Sequence, residues 1–350
     1  MEKKDLLRRV GSMQQLASVR AMTLNEGRTT GLRAFQVHNG PLNFQVLADK
    51  CLDVGEFSYR GINLNFLSKP GLQGRGHYDT NGDEALRSIM GGLFFTAGLE
   101  NICAPCTVDG KDYPMHGRIR TTPGEHLSSD AFWRGEDYVL RCSGEMREGE
   151  LFGENLVLRR TVETVYGQKS VTITDTVENQ GYRPEPLMLL YHINMGYPLL
   201  DEGTELVVPT RSVTPRDETS MGHEDRWNIM DAPKDNEPEY VFIHDLVPDS
   251  RGKGVVAVLN HKLGLGVRLE FITANLPQFM EWKSTASGDY VLGLEPSNSS
   301  VYGRPHHEQA GDLHHLQPFE TETNVLTFTV LDGEQELSAV KEEIEGILKK

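Results

Sequence analysis

Between Ser170 and Asn179 the chain reads SVTITDTVEN, and apolar Val171, Ile173 and Val177 alternate with Thr172, Thr174 and Thr176. Side chains two apart share one face of a strand, so such a run buries one face and wets the other. Similar short runs recur as DYVLRCSGEM, ENLVLRRTVETVY, PLMLLYHINM, GVVAVLNH, LGVRLEFIT, QFMEWKS, DYVLGLEP and ETNVLTFTVLDG. The 35 glycines and 17 prolines suit the turns between them. This pattern predicts an all-β chain of mainly antiparallel strands, and its 350 residues can bury a sizeable core as a single domain. Helices are expected only at the ends. One is read over 3–17. The other is read over 334–349, where Leu337, Val340, Ile344, Ile347 and Leu348 follow helical spacing. Residues 68–90 and 211–240 read as long polar excursions, and loops of that length are often functional.

A formal net charge of −16 argues against nucleic acid and anionic membranes as partners, since both need clustered Lys and Arg. The N-terminal stretch MEKKDLLRRVGSMQQLASVRAM has no apolar signal core, and no segment reaches the length of an apolar membrane span. Four cysteines, Cys51, Cys103, Cys106 and Cys142, are few for a disulfide scaffold. The expected location is cytoplasmic, with free thiols. Cys103-Ala-Pro-Cys106 lacks a βαβ setting for redox chemistry and a second C-x-x-C for zinc, so no metal is expected. No dinucleotide or phosphate-loop fingerprint is present, and no cofactor is expected.

Three stretches carry polar groups suited to chemistry. TVDGKDYPMHGRIR contains His116. LLYHINMGYPLL places His192 and Asn194 on one face of a strand, with Tyr191 and Ile193 on the other. GDYVLGLEPSNSS ends an apolar strand at Glu295, an acid that is costly to bury without partners. Trp227 and Trp282 are candidate platforms for a sugar ring, with Trp282 read as the better candidate for core packing. Asp53 is read as a turn residue. Read as a strand, Gly117-Arg118-Ile119-Arg120 would put Arg118 and Arg120 on the face of His116. Together with Lys50, Lys283 and Arg304 they could make a positive spot for an acidic or phosphorylated sugar, or only rim salt bridges.

In order, these stretches resemble the aldose 1-epimerase, or galactose mutarotase-like, family. The resemblance rests on Asp109-Gly110-Lys111-Asp112-Tyr113, Met115-His116-Gly117, Tyr191-His192-Ile193-Asn194-Met195-Gly196-Tyr197 and Leu294-Glu295-Pro296. ADKCLDVG is similar to the A-D-R-G-L-D-I-G signature of a less characterised branch. The resemblance covers about residues 30–332 and implies a β-supersandwich that binds a small-molecule carbohydrate. It implies Glu295 as base and His192 as acid in sugar ring opening, with His116 hydrogen-bonding the ring oxygen or a neighbouring hydroxyl and stabilising charge as the ring opens. The three should then line one cleft. Departures fall on the residues that read hydroxyls: Tyr191 stands where the family has asparagine, and Glu100-Asn101-Ile102 where it has a sugar-binding arginine. The substrate-binding candidates are therefore Lys50, Asn101, Arg118, Asn194, Trp227 and Arg304. An idle sugar-binding or sensing protein, or another carbohydrate isomerase, is the alternative on the same scaffold. A homodimer is admitted, the oligomeric state being unset by sequence.

Overall fold

The computed structural model describes residues 2–74, 82–89 and 91–349. Two large antiparallel sheets carry the fold. The first runs in the order Ser18–Leu24, Leu32–His38, Leu42–Leu47, Asp53–Tyr59, Phe94–Leu99 and Met188–Met195. It continues through Asp289–Ser297, Gln278–Ala286, Glu239–Leu246 and Thr210–Pro215, while Ile62–Asn63 pairs beside Asp53–Tyr59. The second runs Glu205–Val207, Lys253–Asn260, Leu265–Ile272, Thr321–Asp332, Ser170–Asn179, Asn155–Val165, Asp137–Gly149 and Glu125–Arg134. This is the all-β sandwich that the alternating runs predict.

The sheets pack face to face. Val54, Phe57, Phe94 and Ile193 of the first meet Val171, Ile173, Leu269, Leu326 and Phe328 of the second in the main core. Strand alternation then turns Phe95, His192, Asn194, Trp282 and Glu295 to the other face of the first sheet. A smaller cluster of Phe95, Ala97, Met188, Leu190, Val241 and Met280 underlies that face.

The ends differ from the reading in one respect. The first helix is only Lys3–Leu7, followed by a 3-10 turn at Met13–Gln15 whose Gln14 amide donates to Ser12 Oγ at 3.2 Å. Gly11 and Ser12 interrupt the helix, as a poor helix former followed by a capping residue should. The C-terminal helix, Glu334–Ile347, buries Leu337, Val340 and Ile344. A further helix at Arg304–Ala310 has Pro305 in its first turn, a favoured position, and ends on left-handed Gly311. Within the 68–90 excursion, Gly82–Arg87 is a 3-10 segment, and residues 75–81 and 90 lie outside the described residues. Among the described residues no helix is long and apolar enough to cross a membrane. All four cysteines are free.

Candidate active site

His192 and Glu295 sit on neighbouring strands, Met188–Met195 and Asp289–Ser297. The register pairs Leu190 with Ser297 and Asn194 with Gly293, which sets His192 opposite Glu295. Directly opposed side chains on one face touch, and His192 Nε2 lies 2.9 Å from Glu295 Oε1. Both are nearly buried. Burial alone would lower the His192 pKa, but the charge and hydrogen bond of Glu295 outweigh it and raise the pKa above 6.5. The pairing therefore favours the protonated form of His192. Gly293 makes room for the ring: a Cβ there would lie 2.9 Å from His192 Cε1 and 3.3 Å from Glu295 Oε1.

His116 reaches the same place from a loop. Its backbone is left-handed, at φ 56°. It is held by its amide donating to Cys103 O at 2.9 Å and its carbonyl accepting from the Gly98 amide at 3.1 Å. Gly117 follows with φ 67°, and a Cβ there would fall 2.0 Å from Gly98 O, so only glycine fits. Burial, with His192 and Arg120 nearby, pushes the His116 pKa down to about 3. The ring is therefore neutral. Nδ1 accepts from the Cys103 amide at 3.3 Å, which leaves the proton on Nε2 and makes that nitrogen a donor. The His116 and His192 rings stand 6.0 Å apart, with the Phe95 ring edge-on to both.

These groups line a cavity of about 790 Å³ together with Asn194, Trp282, Arg216, Glu239 and the 66–70 segment. That volume falls in the range of roughly 300–1,000 Å³ usual for small-molecule sites. Asn194 Nδ2 donates to Gly92 O at 3.1 Å. Trp282 stands edge-on to His192 at 5.0 Å, and its Nε1 donates to Glu239 Oε2 at 2.7 Å. Trp282 is thus a wall of the cavity, not the core residue the sequence suggested. Strand Gln278–Ala286 places it opposite Gly293, whose missing side chain opens that face. Arg216 had no sequence signal. It closes the Thr210–Pro215 edge strand and pairs with Asp217 at 2.7 Å and Glu239 at 3.6 Å.

The remaining candidates are not among the residues that line this cavity. Asn101 is buried and donates to Ala104 O and Pro114 O, bracing the loop that carries His116. Residues 119–121 form a 3-10 turn, not a strand, so Arg118 and Arg120 do not share the face of His116. Arg118 pairs with Glu100. Arg304 donates to Glu100 O at 2.7 Å and stacks over Tyr113 at 4.2 Å. Lys50 is buried in the turn before Asp53, where burial and then Arg120 push its pKa down to about 8. Trp227 packs against His244 at 4.8 Å, and Lys283 donates to Arg226 O and Ile229 O. Asp53 is no turn cap but a buried partner of Arg160 at 2.6 Å. Among the described residues the one cluster of metal-type donors is Glu125, His126 and Glu145, where Glu145 already pairs with Arg147 and Arg159.

Solved structures share this architecture. A protein from Klebsiella pneumoniae, provisionally assigned as an aldose 1-epimerase, matches with a TM-score of 0.91 at 23% identity, covering 96% of this chain and 90% of that one. A galactose mutarotase-like protein from Clostridium acetobutylicum matches at 0.62 and 12% identity, over 91% of this chain and 99% of that one. A galactose 1-epimerase from Lactobacillus acidophilus matches at 0.55 and 12%, over 91% of this chain and all 100% of that one. At these identities the likeness establishes the galactose mutarotase-like fold. No curated protein sequence matches the chain. Residues 29–330 match the family model described as a domain of unknown function, DUF4432. The chain therefore belongs to the DUF4432 family, built on the galactose mutarotase-like fold.

Proposed function

We propose that the protein is an aldose 1-epimerase-like isomerase that interconverts the anomers of a sugar. The observation that carries this reading is the 2.9 Å pair of His192 and Glu295 on the cavity floor. Anomer exchange needs a base for the C1 hydroxyl and an acid for the ring oxygen. Both oxygens are bonded to one carbon, so a base and an acid held side by side can reach both. Glu295 takes the C1 hydroxyl proton as the bond from C1 to the ring oxygen breaks and the carbonyl forms. His192 gives its proton to the ring oxygen. Rotation about C1–C2 and closure with the roles reversed yields the other anomer. Neutral His116 donates a hydrogen bond from Nε2 to the oxygen on which charge develops.

The same walls favour a neutral sugar. Glu237, Glu239, Asp289 and Glu295 line the cavity against Lys69, Arg216 and protonated His192. Carboxylates there suit hydroxyl donors and repel a phosphate or an acid. The pairs Arg118–Glu100 and Arg304–Glu308 have their charges met elsewhere.

The test is anomer exchange of neutral aldoses followed by polarimetry or saturation-transfer NMR. Glu295→Gln is expected to cut kcat by about 10²–10⁴-fold while sugar binding persists. A Glu295→Gln protein as fast as the wild type on its best sugar would overturn the reading.

A further inference from the structure

A second cavity, of about 470 Å³, opens on the same face of the first sheet. Phe66 lines both cavities. The ridge between them is completed by the exposed Lys69–Asp289 ion pair, with Lys69 lying against Gly288. The second cavity is lined by Gln36, Asn43, Glu56, Asn63, Tyr197 and Tyr290. The core face of these strands buries Val37, Phe44 and Phe57, so alternation sends the amides and the carboxylate outward. Tyr197 is 70% exposed, a large aromatic ring left open beside them. Glu56 Oε2 accepts from Gln45 Nε2 at 3.2 Å, and Gln36 Nε2 donates to Asn43 Oδ1 at 2.7 Å. Amides and a carboxylate match the hydroxyl edge of a pyranose, and an exposed ring matches its apolar C–H face.

We propose that this cavity is a subsite for a second sugar unit, so that the protein takes the reducing end of an oligosaccharide. The inference rests on the epimerase reading of the neighbouring site. The reducing unit occupies the His192–Glu295 cavity. The next unit crosses the Phe66 ridge and lies against Tyr197.

The experiment compares D-glucose, D-galactose, D-mannose and D-xylose with the β-1,4-linked disaccharide of each, in wild type and Tyr197→Ala. For the sugar that is turned over, kcat/KM of the disaccharide is expected to exceed that of the monosaccharide by about tenfold. Tyr197→Ala should remove that advantage and leave the monosaccharide rate alone. A disaccharide no better than its monosaccharide, or a variant that slows both alike, overturns the subsite. Calorimetric titration of Glu295→Gln separates the two readings. Disaccharide binding weakened about tenfold by adding Tyr197→Ala supports the subsite even without turnover. Disaccharides that bind no tighter than monosaccharides overturn it.

Discussion

The Tyr191 hydroxyl donates to Asp175 Oδ2 at 2.9 Å, one residue before His192 and on the opposite side of the same strand. Asp175 also receives both Nε and Nη2 of Arg160, and Arg160 Nη1 reaches Asp53 Oδ1 at 2.6 Å and Cys51 O at 3.0 Å. Asp53 in turn accepts from the Thr96 amide and hydroxyl. Arg160 and Asp175 belong to one sheet, Asp53, Thr96 and Tyr191 to the other. The strand that carries His192 is therefore pinned from behind by a buried, mutually satisfied network.

Breaking that network should cost stability before chemistry. Arg160→Met leaves two buried carboxylates without their cation and should destabilise by about 3–5 kcal/mol. Tyr191→Phe removes one hydrogen bond to a charged group and should cost about 1–3 kcal/mol. Denaturant unfolding measures both. Equal, negligible losses would show that the network does not hold the sheets.

Gly293→Ala tests the packing of the pair. The new methyl meets the His192 ring, a side chain that can turn aside, so the fold should survive. A misplaced acid should lower kcat by about tenfold to a hundredfold. Unchanged activity with an unchanged thermal midpoint would refute the crowding argument.

The pH dependence follows from His192. Its pKa is raised above 6.5 by Glu295, so the alkaline limb of kcat/KM should lie above that value. In Glu295→Gln the main opposition to burial is gone, with only Asn194 and Glu239 still raising the pKa, so the imidazole pKa should fall. Histidine ring NMR titration reads both proteins. A pKa that does not move on substitution would dismiss the ion pair.

His116 should act as a neutral donor at all working pH. Asparagine tolerates left-handed backbone and retains a donor, so His116→Asn should fold, losing about ten- to a thousandfold in kcat through poorer aim. Its kcat/KM should keep the acid limb of the wild type, because a group with a pKa of about 3 does not set it. A displaced acid limb would assign His116 a proton-transfer role.

Glu148 gives the fold a pH slope away from the cavity. Burial, then the charge of Glu100, raises its carboxyl from 4.5 to about 8. The folded protein holds a proton that the unfolded chain releases above 4.5. Stability from this group is complete below that pH and is lost progressively up to about 8. Glu148→Gln should thus gain on the order of 1–2 kcal/mol at pH 8 and little at pH 4.5. Equal effects at both pH values would contradict the linkage.

The strands that alternate cleanly, such as Ser170–Asn179, were legible because period two shows wherever one face is buried. His192 and Asn194 were legible for the same reason, opposite Tyr191 and Ile193. The strand Phe94–Leu99 was not, since it is buried on both faces and has no alternation. The 211–240 excursion takes in Thr210–Pro215 almost whole and the start of Glu239–Leu246, and with them Glu239 and the neighbouring Arg216. Arg118 and Arg120 were misplaced because a strand period was extended through a turn. Lys50 and Arg304 looked like site cations because a charge in sequence carries no sign of the partner that folding brings to it.

His192 and Glu295 occupy adjacent strands in the middle of a sheet, whereas Arg216 follows an edge strand and residues 66–70 come from a connecting segment. A substitution in the middle strands disturbs registers on both sides, but one at the edge or in the connection disturbs little else. On the proposed function, a lineage can therefore exchange the sugar it accepts by small surface steps while inheriting the His192–Glu295 pair intact. Relatives with unlike substrates should then differ first at the rim.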